Sequence, residues 1–234
     1  MANFSMKQIP LDIVMSPGPS LDNYFIGSNR PVIDHLSLWL GKYPPRPLRS
    51  PIPIYLWGDA ASGKTHLLKA IKKALEVQGE RLGWIDVKTE SFPEYDESWS
   101  VILLDDIHKF TTMQQQLAFN WFINAQTHQI SVISSGAVPP ADLTLRDDLK
   151  SRLGWGHIFQ LHLLDDVQRR IVLKHEAEMR GVTLSEEVLD FILRRFSRDL
   201  GSLMELLKLI DGYALQTQRA ISIPLIKSMM DKTE

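Results

Sequence analysis

Eight consecutive residues, Gly58, Asp59, Ala60, Ala61, Ser62, Gly63, Lys64 and Thr65, match the pattern Gly-x-x-x-x-Gly-Lys-[Ser/Thr] in full. They follow the apolar run IPIYLW at 52–57. They open a segment in which Leu67, Leu68, Ile71 and Leu75 recur at helical spacing. A strand that runs into such a loop and then into a helix is the setting in which the pattern cradles phosphate. The glycines let backbone N–H groups curl around phosphate oxygens, and the helix N-terminus adds its partial positive charge. Lys64 is expected to reach the β- and γ-phosphates, and the Thr65 hydroxyl to ligate Mg²⁺. The expected ligand is therefore ADP or ATP with Mg²⁺. The alternative, a chance match in a tight turn, leaves the next motif unexplained.

That motif is VILLDD at 101–106, an apolar strand ending in two acids. Asp105 is expected to hold Mg²⁺ through water, and Asp106 to sit near the γ-phosphate and position the attacking water. Three more apolar runs, 52–57, 82–87 and 130–135, join it as predicted buried strands. They alternate with helical patterns, which is the signature of a parallel sheet. A helix is predicted over 112–126, with Leu117, Trp121 and Phe122 on one face. The proline-rich stretch 43–53 reads as a loop. Beyond Leu164 the strand signals stop. Helices are predicted over 165–180, closed by Gly181, and over 184–196, 202–216 and 224–230. The expected organisation is an N-terminal arm (1–20), an α/β nucleotide-binding core (21–164) and a helical lid (165–234). This order resembles the AAA+ ATPases.

Composition narrows the functional classes. There is no cysteine, which excludes disulfides and thiolate metal sites. Twenty-six basic against 28 acidic residues give a net charge of −2, unlike a dedicated duplex-DNA binder, so sequence-specific DNA binding is not expected. The N-terminus lacks the unbroken apolar run of a signal peptide. No stretch approaches the roughly 20 apolar residues of a membrane helix. The expectation is a cytoplasmic protein without membrane contact.

GKTHLL (63–68), LLDDIH (103–108), LKSRLGWG (149–156) and GVTLSEEVLDFI (181–192) together resemble the replication-initiator family DnaA. FIGSN (25–29) is similar to that family's segment along the adenine. The resemblance thus extends the expected nucleotide contacts to Asn29 and, after the lysine and threonine, to His66. The departures matter as much. The chain ends after the lid, where DnaA continues into a helix-turn-helix domain. The short link between Val87 and Val101 leaves no room for the DnaA insertion that grips single-stranded DNA. The helicase-contacting N-terminal domain has no counterpart. Such a reduced core resembles the Hda type of DnaA-related protein, a family of DnaA inactivators that joins a clamp-binding peptide to an AAA+ module. QIPLDI (8–13) has the matching spacing, with Gln8, Leu11 and Ile13 as the side chains an extended peptide would seat in a groove on the sliding clamp, the polymerase III β subunit.

The resemblance makes Arg152 an arginine finger, a cation aimed at a neighbour's γ-phosphate, here ATP held by DnaA. The plain alternative is a surface arginine paired with Asp147 or Asp148. The family's lid arginine falls on Gly201, with Arg198 as a nearby substitute. Its acidic residue after the fourth strand falls on Gly136, where Ser134 and Ser135 are the polar neighbours. Weak discrimination between ATP and ADP follows, as does slow hydrolysis of the chain's own ATP, because Asp106 stands where a longer Glu is usual. His66 and His108 lack a third ligand at metal spacing. Trp155 reads as a packing anchor, and the basic pairs Lys72–Lys73, Arg169–Arg170 and Arg194–Arg195 as solvated. A homo-oligomer is compatible with this class. Three other readings stay open: a helicase loader or similar ATPase working on its own ATP, an inert adaptor tethering a partner to the clamp, and, most distant, a P-loop kinase.

Overall fold

In the buried strands, neighbouring side chains point to opposite faces, and this alternation divides the protein's interior. The computed structural model of the chain describes residues 18–41, 49–91, 93–196 and 199–231. The clamp-like peptide with Gln8, Leu11 and Ile13, and the substitute arginine Arg198, lie outside the described residues. Five strands, β1 (Ile54–Trp57), β2 (Arg81–Ile85), β3 (Trp99–Leu104), β4 (Ser131–Gly136) and β5 (His157–Gln160), form one parallel sheet in the order β2-β3-β4-β1-β5. Tyr55, Ile102, Leu104 and Val132 face a core shared with helices α3 (Thr112–Thr127) and α4 (Asp147–Leu153). Ile54, Leu56, Val101, Leu103 and Ile133 face the other way, against α1 (Arg30–Trp39) and α2 (Lys64–Val77). Helices cover both faces, as an all-parallel sheet requires.

Four of the strands follow the predicted runs. The fifth, β5, is an addition: HIFQ has no apolar run, and as an edge strand it is largely exposed. Helix α1 is also an addition. It buries Val32, Ile33, Leu36 and Trp39, and Pro31 sits in its first turn, where a missing N–H costs nothing. Helix α3 starts as predicted, closed by a capping box of Thr111 and Gln114.

The lid comprises α5 (Asp166–Met179), α6 (Glu186–Arg195), α7 (Leu200–Thr217) and α8 (Ile223–Met230). It has its own apolar centre, including Leu173, Leu189, Leu207, Ile210 and Ile226. Each helix begins on a side-chain cap that the sequence supplies, Asp165, Ser185, Asp199 and Ser222. Among the described residues, no helix is long and apolar enough to cross a membrane.

Candidate functional site

The predicted phosphate loop lies at the C-terminal end of β1, between that strand and α2, where open α/β sheets bind ligands. Backbone conformation dictates two of its residues. Gly63, which caps α2, has φ 92°, and a Cβ there would come within 2.5 Å of the Tyr24 ring. Gly58 has φ 150°, and its Cβ would meet the Leu161 carbonyl oxygen at 2.3 Å. No side chain fits at either position. Lys64 is only 6% exposed, and its ammonium donates to the carbonyls of Gly58 and Asp59, both at 2.7 Å. Burial holds its pKa below the ordinary lysine value, opposed chiefly by the carboxylates of Asp106 and Asp105. A buried cation held by neutral oxygen acceptors is suited to an incoming anion.

The loop forms one wall of a cleft of about 810 Å³, enough for a nucleotide. Ala60, Ala61, Ser62, Gly63, Lys64, Thr65, His66 and Asn29 all line it. Asp106 and His108 line it from the end of β3. Asp106 has φ 56°, in the left-handed region. Its carboxylate accepts from Lys109 at 2.7 Å. Asp105 lies beneath, 5% exposed, and its Oδ1 accepts from the Ser135 hydroxyl at 2.7 Å. The same hydroxyl accepts the Asp106 N–H at 2.8 Å. Ser135 on β4 therefore fixes both acids. Thr65, Asp105 and Asp106 beside a buried lysine make up a donor set suited to Mg²⁺ on a phosphate chain. The described residues contain no cluster of three or more His, Asp or Glu side chains that could hold a metal independently.

Asn29 lines the cleft with its side chain engaged by neighbouring residues. It is 3% exposed. Its amide donates to the Tyr24 hydroxyl (3.0 Å) and the His162 carbonyl (2.9 Å), and it accepts the His162 N–H (2.8 Å). His66 Nε2 donates to the Ser20 carbonyl at 3.1 Å, and burial lowers its pKa. At Gly136, a side chain is excluded outright, since a Cβ would come within 1.9 Å of the Tyr55 hydroxyl. Gly201 lines the cleft with open space around it, its nearest neighbour for a Cβ being Asp199 at 3.5 Å.

Two expectations are corrected. Arg169 is not solvated. It is buried at the cleft wall beside Asp166, because α5 turns this position toward the core domain. Its neighbour Arg170 engages Glu186 and Asp190. Trp155 is not a packing anchor but 64% exposed. The adjoining Gly156 is pressed so close to Pro53 that a Cβ would meet its carbonyl at 2.0 Å, so the turn itself fills the space against the sheet. Sequence reading missed the cleft residues Tyr24, Glu176, Arg169 and Arg180. Tyr24 adjoins the quoted segment 25–29, so a wider window would have included it.

Arg152 lies on α4, outside the residues lining the cleft. It is partly exposed. Asp148 forms its salt bridge with Arg146 (2.6 Å) and Asp147 with Lys150 (3.2 Å), and Arg152 acts on the Asp148 carboxylate through space without a salt bridge of its own. Arg152 donates to Gln126 and lies over the Phe119 ring, 5.2 Å from its centroid. Among the described residues it forms no salt bridge.

Residues 17–160 match the family model for the bacterial DnaA ATPase domain, and residues 166–230 that for the Hda lid domain. An uncharacterized protein of Haemophilus influenzae is 33% identical, covering 96% of this chain and 99% of its own length. Domain III of the Thermotoga maritima initiation protein DnaA superposes with a TM-score of 0.74 at 21% identity, over 92% of this chain and 97% of that one. AMPPCP-bound DnaA of Aquifex aeolicus gives 0.67 at 24% identity, over 87% and 68%. The RuvB branch-migration motor of Thermotoga maritima gives 0.65 at 19% identity, over 91% and 71%. These likenesses at low identity establish the AAA+ fold.

Proposed function

The chain belongs to the bacterial DnaA ATPase-domain family, with a lid of the Hda type, and from that premise we propose that it restrains replication initiation by stimulating hydrolysis of DnaA-bound ATP. The observation that carries this reading is Arg152, a cation that forms no salt bridge among the described residues and lies on α4 outside the lining of the chain's own cleft. An arginine already in a carboxylate's grip would have to break that pair before it could serve a phosphate. Gln126 and the Phe119 ring instead hold the guanidinium in place without tying it into a salt bridge. The exposed Trp155, three residues on, is an aromatic side chain of the kind that concentrates binding energy at protein interfaces.

In this reading the chain's own nucleotide is mainly structural. ADP or ATP would lie against the loop 58–65, its phosphates met by backbone N–H groups and Lys64, with Mg²⁺ held by Thr65 and Asp105. Bound magnesium would neutralise phosphate charge. Asp106 already accepts from Lys109 and is one methylene shorter than Glu, which favours slow turnover of the chain's own ATP. With glycine at positions 136 and 201, no side chain there contacts a γ-phosphate, so ADP and ATP are expected to bind with similar affinity. Titration calorimetry with each nucleotide tests this, and a strong preference for ATP would count against it. The segment with Gln8, Leu11 and Ile13 would bring the protein to the sliding clamp. A Gln8→Ala/Leu11→Ala double variant should lose clamp binding while retaining nucleotide.

The test of function is single-turnover hydrolysis of ATP preloaded on DnaA, with clamp loaded on DNA, in the presence and absence of this protein. Acceleration supports the proposal. Turnover of free ATP by this protein alone, with none on DnaA, favours a helicase loader or similar ATPase.

A further inference from the structure

The turn at residues 24–29 lies between the phosphate loop and the start of the lid, and touches both. On one side, the Tyr24 hydroxyl donates to the Ser62 carbonyl at 3.0 Å, and its ring lies so close to Gly63 that no Cβ could stand there. On the other, Asn29 grips residue 162 from both sides of its peptide unit, accepting the His162 N–H at 2.8 Å and donating to its carbonyl at 2.9 Å. The second amide hydrogen of Asn29 goes to the Tyr24 hydroxyl at 3.0 Å. Gly27, φ 48°, sits against Leu164 and Gln168, with Leu164 Cδ2 only 2.8 Å from where a Cβ would be. Gln168 is the N3 residue of the capping box that starts α5. A continuous hydrogen-bonded chain thus runs from Ser62 through Tyr24 and Asn29 to His162, in the segment joining β5 to the lid.

Ser62 is the point where this chain meets the ligand site. Its hydroxyl lies 3.4 Å from the Lys64 ammonium, which otherwise rests on the carbonyls of Gly58 and Asp59. A phosphate arriving in the loop competes for that ammonium and draws the loop N–H groups toward itself. The loop cannot reorganise around an anion without altering the peptide unit whose carbonyl Tyr24 holds. Burial pushes the Tyr24 phenol up to about 12, so it remains a hydrogen-bond donor at any physiological pH.

We propose that Tyr24 and Asn29 are positioning residues that couple occupancy of the phosphate loop to the orientation of the lid, through the hydrogen-bonded path Ser62–Tyr24–Asn29–His162. The coupling rests on the reading that nucleotide binds at this loop. It makes nucleotide a device for setting the lid's angle, and it places the control in the turn 24–29 rather than in a lid side chain that touches phosphate. A contact held at both ends in this way can pass a local change from one side to the other.

The experiment uses the full chain as wild type, Tyr24→Phe and Asn29→Ala, with ADP as the probe. ADP affinity is read by calorimetry and lid response by amide hydrogen exchange over residues 161–168. Wild type should bind ADP and show slowed exchange in this segment when ADP is present. Tyr24→Phe removes one hydroxyl and keeps the ring over Gly63. It should retain ADP binding within about tenfold, the range of a single hydrogen bond, yet lose the ADP-dependent slowing. Asn29→Ala should raise exchange at 161–168 with or without ADP. A purely structural role for Tyr24 would lower thermal stability without changing how the lid responds to ADP. ADP-dependent slowing in Tyr24→Phe equal to that of wild type overturns the coupling and leaves the nucleotide site intact. Failure of the wild type to bind ADP overturns the nucleotide reading and the coupling with it.

Discussion

Lys64 is buried with its charge resting on carbonyl groups, and that single arrangement explains why the loop 58–65 calls for an anion. Lys64→Ala is expected to abolish detectable nucleotide binding by calorimetry while leaving the fold intact, since the ammonium makes no ion pair that the core depends on. Gly58→Ala should fail differently. Its Cβ would displace the Leu161 carbonyl at the edge of the sheet, so both binding and thermal stability should fall, and a circular-dichroism melt separates the two cases. At this scale the sequence was informative wherever chemistry demands a fixed pattern. The loop and the acids at 105 and 106 could be read from spacing alone. Asn29 and Trp155 could not. Each residue type tolerates several surroundings, and only the packed structure shows that the Asn29 amide is spent on Tyr24 and His162 or that the glycine-flanked turn leaves Trp155 in solvent. The role of Ser135 in holding both acids was equally hidden, because it depends on the β3–β4 register.

Among elements, those with a strong period or a clear cap were the legible ones. Helix α5 begins at Asp165, whose side chain accepts the Gln168 N–H at 2.7 Å while Gln168 returns the bond to the Asp165 backbone. Asp165→Ala should cost about 1 kcal/mol of stability, in the range of a lost N-cap, measured by urea unfolding. Because the same Gln168 lies against Gly27, that substitution should also loosen the lid's first turn toward proteolysis. β5 had no sequence signal, since an edge strand at the sheet's end needs only backbone pairing with β1 and shows no apolar run. Helix α1 did carry an amphipathic period, at Val32, Ile33, Leu36 and Leu40. It is short, and it lies between the segment 25–29 and the proline-rich stretch 43–53, neither of which signals a helix.

For the molecule as a whole, the order of core and lid followed from the sequence because strand signals end where helical periodicity takes over. The relation between them did not, because it is made by contacts such as Asn29 to His162 that join residues far apart in the chain. Titration adds a global expectation. Burial, and for His35 the facing His157, holds the pKa of His35, His66 and His108 below the ordinary 6.5. As pH falls through 6.5 the unfolded chain takes up protons that the fold resists. This part of the stability is therefore complete above 6.5 and lost on acidification, so the urea midpoint should be lower at pH about 5.5 than at about 7.5. In the proposed role this molecule acts on a neighbour's nucleotide rather than its own. The most direct measurement is the hydrolysis rate of ATP preloaded on DnaA, with DNA-loaded clamp, comparing wild type with Arg152→Ala at equal nucleotide occupancy of this protein. Wild type should accelerate hydrolysis and Arg152→Ala should lose that acceleration, by about 10³-fold or more for an arginine finger, with unchanged ADP binding to its own loop. Acceleration by Arg152→Ala equal to that of wild type would contradict this role.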